Sequence, residues 1–223
     1  KYLEENVLGS VCRALRDCLG RPCGPAELED EILEEYHITR EKQKLCLKGD
    51  MTVCIHGKEL ELGAFPNGIE FFADELYKIE QITVKTAFFT TVENYTSWLR
   101  CDSSKTALFY LGGYATRYQR DFLKKIFSDN PTLVYHHFGD IDAGGLYIHE
   151  HLCRVTGIPF QMYRMSRAEL EDVRFQSCLH PLTEQDRVRL KSLEKQEMYR
   201  ELAEYMLERG VKLEQEIVSY YEL

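Results

Sequence analysis

Two aspartates stand two residues apart in the segment Phe138-Gly-Asp-Ile-Asp-Ala-Gly-Gly, between a β-rich run and an apolar helical pattern. Side chains at positions i and i+2 of a strand point to the same face, so Asp140 and Asp142 are predicted to converge on one ion. The glycines that follow permit a tight strand-to-helix turn and the close approach of a phosphate to the backbone.

A further carboxylate, Glu93, directly follows another apolar run and is predicted to lie on the same rim of the sheet as the two aspartates. Oxygen ligands with no clear Cys or His among them match Mg²⁺ or Mn²⁺. One acid at a strand end is more often a helix cap or a solvated loop residue, whereas three acids together favour a metal site. In that site Asp140 and Asp142 would hold one ion, and Glu93 would share a second ion or orient the water.

Strands and helices alternate from Thr83 onward, which predicts an α/β fold with a parallel sheet covered on both faces. In such sheets the chemistry lies outside the carboxyl ends of the strands. A long helix over 183–207, ended by Gly210, and a last helix from about Leu213 follow. The predicted strands are 84–92, 107–111, 133–138 and 159–163, and the helices between them are 95–99, 117–127 and 146–155.

The earlier part of the chain has a different pattern. A helix over 2–19 is followed by an acidic helix over 26–36, and a β-hairpin turns at His56-Gly57-Lys58. We therefore divide the chain into an amino-terminal helical extension (1–50), a hairpin or accessory layer (51–82) and a catalytic domain with carboxy-terminal helices (83–223). The first residue is Lys1 rather than Met, so we expect a fragment whose upstream part is missing.

Composition limits the class of protein. The chain has 223 residues and a formal net charge of −9, which argues against a broad basic coat for nonspecific nucleic-acid binding. It has no apolar run near the ~20 residues of a membrane span and no signal-like start, so we expect a cytoplasmic protein and no membrane partner. The eight cysteines form no CxxC pair and are predicted to be reduced thiols.

Glu93 after the first parallel strand and Asp140-x-Asp142-x-x-Gly145 after the third resemble the signature of the Toprim domain. With Val92-Glu-Asn-Tyr-Thr-Ser and Leu213-Glu-Gln-Glu, the motifs resemble the carboxy-terminal Toprim domain of the JetD/MksG family over about 51–223. Members of that family are nuclease subunits of Wadjet-type, SMC-like plasmid-defence complexes and are related to the A subunit of type IIB topoisomerases.

The resemblance implies a Toprim fold, a Rossmann-like parallel sheet flanked by helices, and metal-dependent DNA cleavage by a homodimer that SMC-like complex subunits recruit. The alternatives are a phosphoryl transferase of the topoisomerase VI A or primase type, and a noncatalytic module that docks DNA or assists assembly. In the topoisomerase relatives a winged-helix domain carries the catalytic tyrosine. No segment here has that pattern, so water is the predicted nucleophile.

Other polar residues could support the site. Glu216, with Glu214, lies near the last helix, which could fold back onto the rim and bring an acid to the metal; the alternative is a solvated helix face. His136 and His137 precede the aspartates, and a neutral, packed histidine is the favoured interpretation. Phosphate contact or plain solvation is predicted for the basic residues Arg117, Arg120 and Lys124 on one helix and Arg164 and Arg167 after the fourth strand.

Overall fold

The structure is a computed structural model, and it describes residues 8–18 and 43–221. The chain divides into two compact units, Lys1–Lys42 and Gln43–Leu223. In the first unit the structure describes one helix, α1 (Leu8–Cys18), which falls within the helix predicted over 2–19. The acidic helix predicted over 26–36 lies outside the described residues.

The second unit contains a large mixed sheet and a small antiparallel sheet. Its short hairpin turns at His56 and Gly57, both with positive φ, as the sequence predicted. The strands in chain order are β1 (Lys44–Lys48), β2 (Met51–Ile55), β3 (Lys58–Glu61), β4 (Ile69–Phe72), β5 (Ile79–Val84), β6 (Phe88–Val92), β7 (Thr106–Tyr110), β8 (Val134–Phe138), β9 (Gln161–Met162), β10 (His180–Pro181) and β11 (Val211–Lys212).

The large sheet has the strand order β4-β1-β7-β6-β8-β9. The pairs β6–β7, β6–β8 and β8–β9 are parallel, whereas β1 pairs antiparallel with β4 and β7. Val92 is aligned with both Tyr110 and Phe138, so these parallel strands end at one rim. The predicted α/β class is confirmed, and the sheet is consistent with a Rossmann-like Toprim fold.

Helices cover both faces of the large sheet. The helices of the second unit are α2 (Tyr95–Arg100), α3 (Arg117–Asp129), α4 (Ala143–Thr156), α5 (Arg167–Glu171), α6 (Glu184–Leu193), α7 (Glu197–Arg209) and α8 (Gln215–Tyr220). One face of the sheet packs under α3 and α4 through Phe122, Ile126 and Leu152, and the other lies against α2 and the carboxy-terminal helices. No helix within residues 8–18 and 43–221 has the length and apolar character that crossing a bilayer requires.

Three features differ from the predicted elements. The β-rich run at 84–92 is divided, because β5 ends at Val84 in the small sheet and β6 begins at Phe88 in the large one. Strands β1 and β4, which the sequence placed outside the catalytic domain, pair within the large sheet. The helix predicted over 183–207 is two helices, α6 and α7, and the break between them lets the buried faces of both join the same core.

The cysteines whose side chains the structure describes are free thiols, as predicted. They are Cys18, Cys46, Cys54, Cys101, Cys153 and Cys178.

Candidate metal centre

Glu93 and Asp140 lie side by side at the carboxyl rim of the large sheet. Each follows the last residues of a parallel strand, β6 for Glu93 and β8 for Asp140. The backbone N–H of Glu93 donates to the Phe138 carbonyl at 3.0 Å, and the backbone N–H of Asp140 donates to Glu93 Oε2 at 3.4 Å. The structure therefore brings together these two acids, as their positions after parallel strands predicted.

The segment after β11 lies across this rim. Ile141 and Leu213 exchange backbone hydrogen bonds of 2.9 and 3.1 Å in an isolated antiparallel bridge. The N–H of Gln215 then donates to Asp140 Oδ1 at 2.7 Å. This docking carries Glu214 and Glu216 to the acids of the rim, so the proposed fold-back of the last helix is what the structure contains.

Asp140, Glu214 and Glu216 form a compact group of oxygen donors. Each can offer one carboxylate oxygen, and the three oxygens lie within 4.8 Å of one another. Glu216 also accepts a hydrogen bond from the Asn94 side-chain amide. Mg²⁺ and Mn²⁺ are bound by small sets of carboxylates that leave positions for water and phosphate, so this donor set fits either ion.

The electrostatics of the rim favour a cation. Burial and, to a smaller extent, the neighbouring Asp140 charge together raise the pKa of Glu93 to about 8. Burial likewise raises the pKa of Asp140 to about 7, with Glu214, Asp142 and Glu216 adding to the shift and the Gln215 N–H opposing it. Carboxylates that repel one another in a partly desolvated site gain from a cation that neutralises them.

Asp142 has a different role from the one its spacing suggested. Its Oδ1 accepts from the Gly145 N–H at 2.8 Å and caps α4, and its Oδ2 lies 3.7 Å from Lys212 Nζ. It is absent from the group formed by Asp140, Glu214 and Glu216. The rule that i and i+2 share a face applies within a strand, but β8 ends at Phe138, so the two aspartates leave the strand before that rule can align them.

The fully buried side chain of Gln215 links the ends of β6 and β8 by hydrogen bonds, a role that was not predicted from the sequence. Its Oε1 accepts from the Asn94 N–H at 2.8 Å, and its Nε2 donates to the Phe138 carbonyl at 2.9 Å. The motif Leu213-Glu-Gln-Glu was the signal that could have identified it.

Two glycines at the rim are tightly enclosed. A Cβ at Gly145 would lie 2.2 Å from the Asp140 carbonyl oxygen, and a Cβ at Gly139 would lie 2.6 Å from Glu93 Oε2. Such distances are far shorter than any van der Waals contact. The glycines of this motif therefore allow the backbone of the turn to approach the acids.

The two histidines before the aspartates face opposite sides of the sheet. His137 is fully buried, its Nδ1 lies 2.9 Å from Thr91 Oγ1, and burial lowers its pKa to about 3. His136 stacks between the rings of Phe88 and Tyr163. Both are packed in the way that the favoured interpretation of a neutral histidine requires.

A cleft of about 300 Å³ opens beside the acids. Its lining combines carboxylate and amide side chains with two tyrosine rings. Burial raises the pKa of both tyrosines in its wall, Tyr95 and Tyr110. The lining residues are Glu93, Asn94, Tyr95, Thr96, Tyr110, Gly112 and Asp140.

The basic residues named from the sequence fall in two places. Arg117 begins α3, and Arg120 and Lys124 follow along that helix, with Lys124 about 10 Å from Arg117 at 1.5 Å per residue. Arg167 forms an ion pair of 2.8 Å with Glu171. Arg164 lies over the Tyr163 ring at 5.7 Å.

Comparison with known proteins gives two matches. A family model described as "Wadjet protein JetD, C-terminal" matches residues 50–222. The Wadjet protein JetD of Bacillus cereus (strain Q1) is 26% identical over 197 residues, which cover 86% of this chain and 48% of that protein. The chain therefore spans about half the length of this curated relative.

Proposed function

This chain belongs to the family of the carboxy-terminal region of Wadjet protein JetD, and from that premise we propose that it is the metal-dependent DNA-cleaving part of a Wadjet plasmid-defence complex. The observation that carries the proposal is the convergence of Asp140, Glu214 and Glu216 beside Glu93 at one rim of a mainly parallel sheet. In α/β sheets this rim is where ligands bind. The reaction is hydrolysis of a phosphodiester bond at a Toprim-type site.

Asp140, Glu214 and Glu216 would hold Mg²⁺ or Mn²⁺, with Glu93 next to them. A cation bound there would supply Lewis-acid stabilisation of the charge that develops on the phosphate. The carboxylates would hold the cation in a fixed position, because their own positions are fixed. The Gln215 N–H and the bridge between Ile141 and Leu213 join the segment that carries Asp140 to the segment that carries Glu214 and Glu216. Preorganised electrostatics of this kind is often the largest contribution to enzymatic rate.

Glu93 is suited to proton transfer. Its Oε2 accepts from the Asp140 N–H, and its pKa, about 8 in the metal-free site, would be lowered by a cation bound at the neighbouring carboxylates, which leaves the carboxylate free to accept a proton at neutral pH. A general base is most effective when its pKa lies near the working pH. Glu93 would therefore take the proton from the attacking water, and Asp142 would support the site from its edge.

Water is favoured over tyrosine as the nucleophile. The phenols of Tyr95 and Tyr110 line the cleft, but burial raises the pKa of each above its ordinary value. A phenol with a raised pKa is a weaker nucleophile at neutral pH because less of it is ionised. Cleavage by water leaves DNA ends free of protein.

DNA and the partner subunits complete the proposal. The basic residues of α3 would contact phosphates of the DNA, because this helix begins beyond the carboxyl end of β7, at the rim that holds the acids. Gln119 Nε2 holds the start of the helix there by donating to the Leu111 carbonyl. The residues are Arg117, Arg120 and Lys124. Arg164 and Arg167 would give weaker contacts. A homodimer bound to SMC-like subunits of the Wadjet complex would present these sites to plasmid DNA.

The test is the incubation of the full chain with supercoiled plasmid and Mn²⁺. We expect nicked and linear DNA, with ends that ligase reseals after the protein is denatured. Asp140→Asn should abolish the reaction, and Glu204→Gln, which changes an exposed acid on α7 by the same charge, should leave it intact. DNA left uncut by the wild-type chain, or cut equally by Asp140→Asn, would reject the proposal.

A further inference from the structure

A lysine stands at the Asp142 edge of the candidate centre, in the residue before the Leu213-Glu-Gln-Glu motif. We infer that the ammonium of Lys212 serves as a permanent second cation of the site, so that the site works with one divalent ion and one lysine. The inference rests on the proposed function. It assigns a charge-stabilising role to a residue that the sequence motifs did not include.

An ion pair with Asp186 holds the Lys212 ammonium in place. Its Nζ lies 3.1 Å from Asp186 Oδ2, and the Lys212 side chain is 18% exposed. Asp186 is itself fixed, because the same Oδ2 accepts from the N–H and the hydroxyl of Thr183 in the capping box of α6. The position of the ammonium is therefore set by the fold of β11 and α6, independently of any ion.

The ammonium also faces Asp142, at 3.7 Å from Oδ2. The other oxygen of Asp142 caps α4 by accepting from the Gly145 N–H. Both oxygens of Asp142 are thus engaged within the chain. A divalent ion placed on Oδ2 would lie a few ångströms from the ammonium, where like charges repel strongly in a partly buried site. A second metal ion is therefore disfavoured on the Asp142 side.

The other side of the centre has the opposite character. Within residues 43–221, no lysine or arginine forms an ion pair with Asp140, Glu214 or Glu216, whose oxygens converge. The ion pairs of the centre thus lie in its Asp142 half, and the carboxylates without an ion pair lie in its Asp140 half. One segment supplies Lys212 to the first half and Glu214 to the second, and the charge of Glu214 also acts on the ammonium.

A lysine in this position has a donor left for substrate. The –NH₃⁺ group has three N–H donors, and Asp186 and Asp142 occupy at most two of them. The third could donate to a nonbridging oxygen of a phosphate seated between the two halves. A fixed cation aimed at developing charge acts as an electrostatic stabiliser of the transition state.

The experiment measures the number of Mn²⁺ ions bound per chain and the rate of DNA cleavage on the same samples of the full chain. Mn²⁺ binding is titrated by calorimetry, and plasmid nicking is followed at saturating Mn²⁺ and enzyme. We expect one tightly bound Mn²⁺ in the wild-type chain. Lys212→Met should keep that ion while nicking falls about 100-fold, the range seen when one electrostatic stabiliser is removed. Lys212→Arg should retain part of the rate, and Lys191→Met, at an exposed lysine of α6, should retain all of it.

Asp186→Asn gives an independent arm in case Lys212→Met does not fold. Asn keeps a side-chain oxygen that can accept from Thr183, the N-cap of α6, but removes the charge that holds the ammonium, so nicking should fall with the bound ion retained. Two tightly bound Mn²⁺ ions in an active wild-type chain, or wild-type nicking by folded Lys212→Met or by Asp186→Asn, would overturn the inference alone. A wild-type chain that binds no Mn²⁺ and cuts no DNA would instead reject the proposed function and the inference with it.

Discussion

The backbone N–H of Gln215 donates to Asp140 Oδ1 at 2.7 Å, although the two residues are 75 positions apart in the chain. The same residue ties the two strand ends together through Asn94 and Phe138. The geometry of the acids therefore depends on a buried amide that is not itself an acid.

Gln215→Leu should destabilise the protein by about 1–3 kcal/mol, because it leaves the part-buried Asn94 N–H without its partner and removes one of the two donors to the Phe138 carbonyl. It should also weaken Mn²⁺ binding, since the segment that carries Glu214 and Glu216 loses its side-chain hydrogen bonds to the rim. Urea unfolding and Mn²⁺ calorimetry measure the two effects. Gln196→Leu, at an exposed position before α7, is the matched control. Equal unfolding midpoints for the two variants would contradict this role for Gln215.

Gly145→Ala should damage the site far more than Gly144→Ala. A Cβ at Gly145 would meet the Asp140 carbonyl oxygen at 2.2 Å, which is backbone and cannot move aside alone. A Cβ at Gly144 meets only the Asp142 side chain, at 3.1 Å. Thermal unfolding and Mn²⁺ affinity should both fall for Gly145→Ala and change little for Gly144→Ala. Similar values for the pair would show that the turn is looser than described.

Metal-free protein should lose stability as the pH rises from about 7.5 to about 9. Glu93 and Asp140 have folded-state pKa values of about 8 and 7, above their ordinary values, so their contribution is complete at low pH and is lost as pH rises through those values. Burial lowers the pKa of His136, His137, His149 and His151, and the titration of these groups in the unfolded chain near pH 6.5 acts in the opposite sense. The window therefore begins at about 7.5, where these histidines are neutral in both states.

The expected loss over that window is about 1 kcal/mol. Urea midpoints measured at several pH values without metal give the slope. The double variant Glu93→Gln, Asp140→Asn should flatten the profile, and saturating Mn²⁺ should reverse the slope in the wild-type chain because deprotonated carboxylates bind the ion. A metal-free profile that rises with pH would contradict the assigned pKa shifts.

Glu216→Gln should lower Mn²⁺ affinity about 10-fold or more, because it removes one negative oxygen donor from the group with Asp140 and Glu214. The change keeps the size of the side chain and a carbonyl oxygen that can accept from Asn94. Glu204→Gln, exposed on α7, removes the same charge away from the site. Identical titrations of the two variants would return Glu216 to the role of a solvated helix acid.

The sequence predicted those parts of the site that follow from local rules. Glu93 and Asp140 could be placed at one rim because parallel strands end there, and the fold-back of Glu216 was anticipated from a short motif. The roles of Lys212 and Gln215 could not be predicted, because their partners are distant in the chain and no periodicity reports such contacts. Asp142 was assigned by a strand rule that stops applying at Phe138, where its strand ends.

The class of the fold could be predicted from the sequence, but the boundaries and pairing of several elements could not. Alternating apolar strands and helices indicated the α/β class, but the same apolar character made β5 and β6 look like one strand. Strands β1 and β4 could not be assigned to the large sheet, since edge pairing depends on which face each strand buries after folding. The break between α6 and α7 falls at residues 194–196, which contain no glycine or proline that would indicate it in the sequence.

Because the bridge joins Ile141 to Leu213, the candidate metal centre can form only late in translation of the chain. A ribosome that has made Glu93 and Asp140 has still to translate the segment that carries Glu214 and Glu216. Until that segment leaves the exit tunnel and docks, the nascent polypeptide holds only part of the donor group. On the proposed function, the nascent chain thus gains its full set of metal ligands only after the segment with Glu214 and Glu216 has been made.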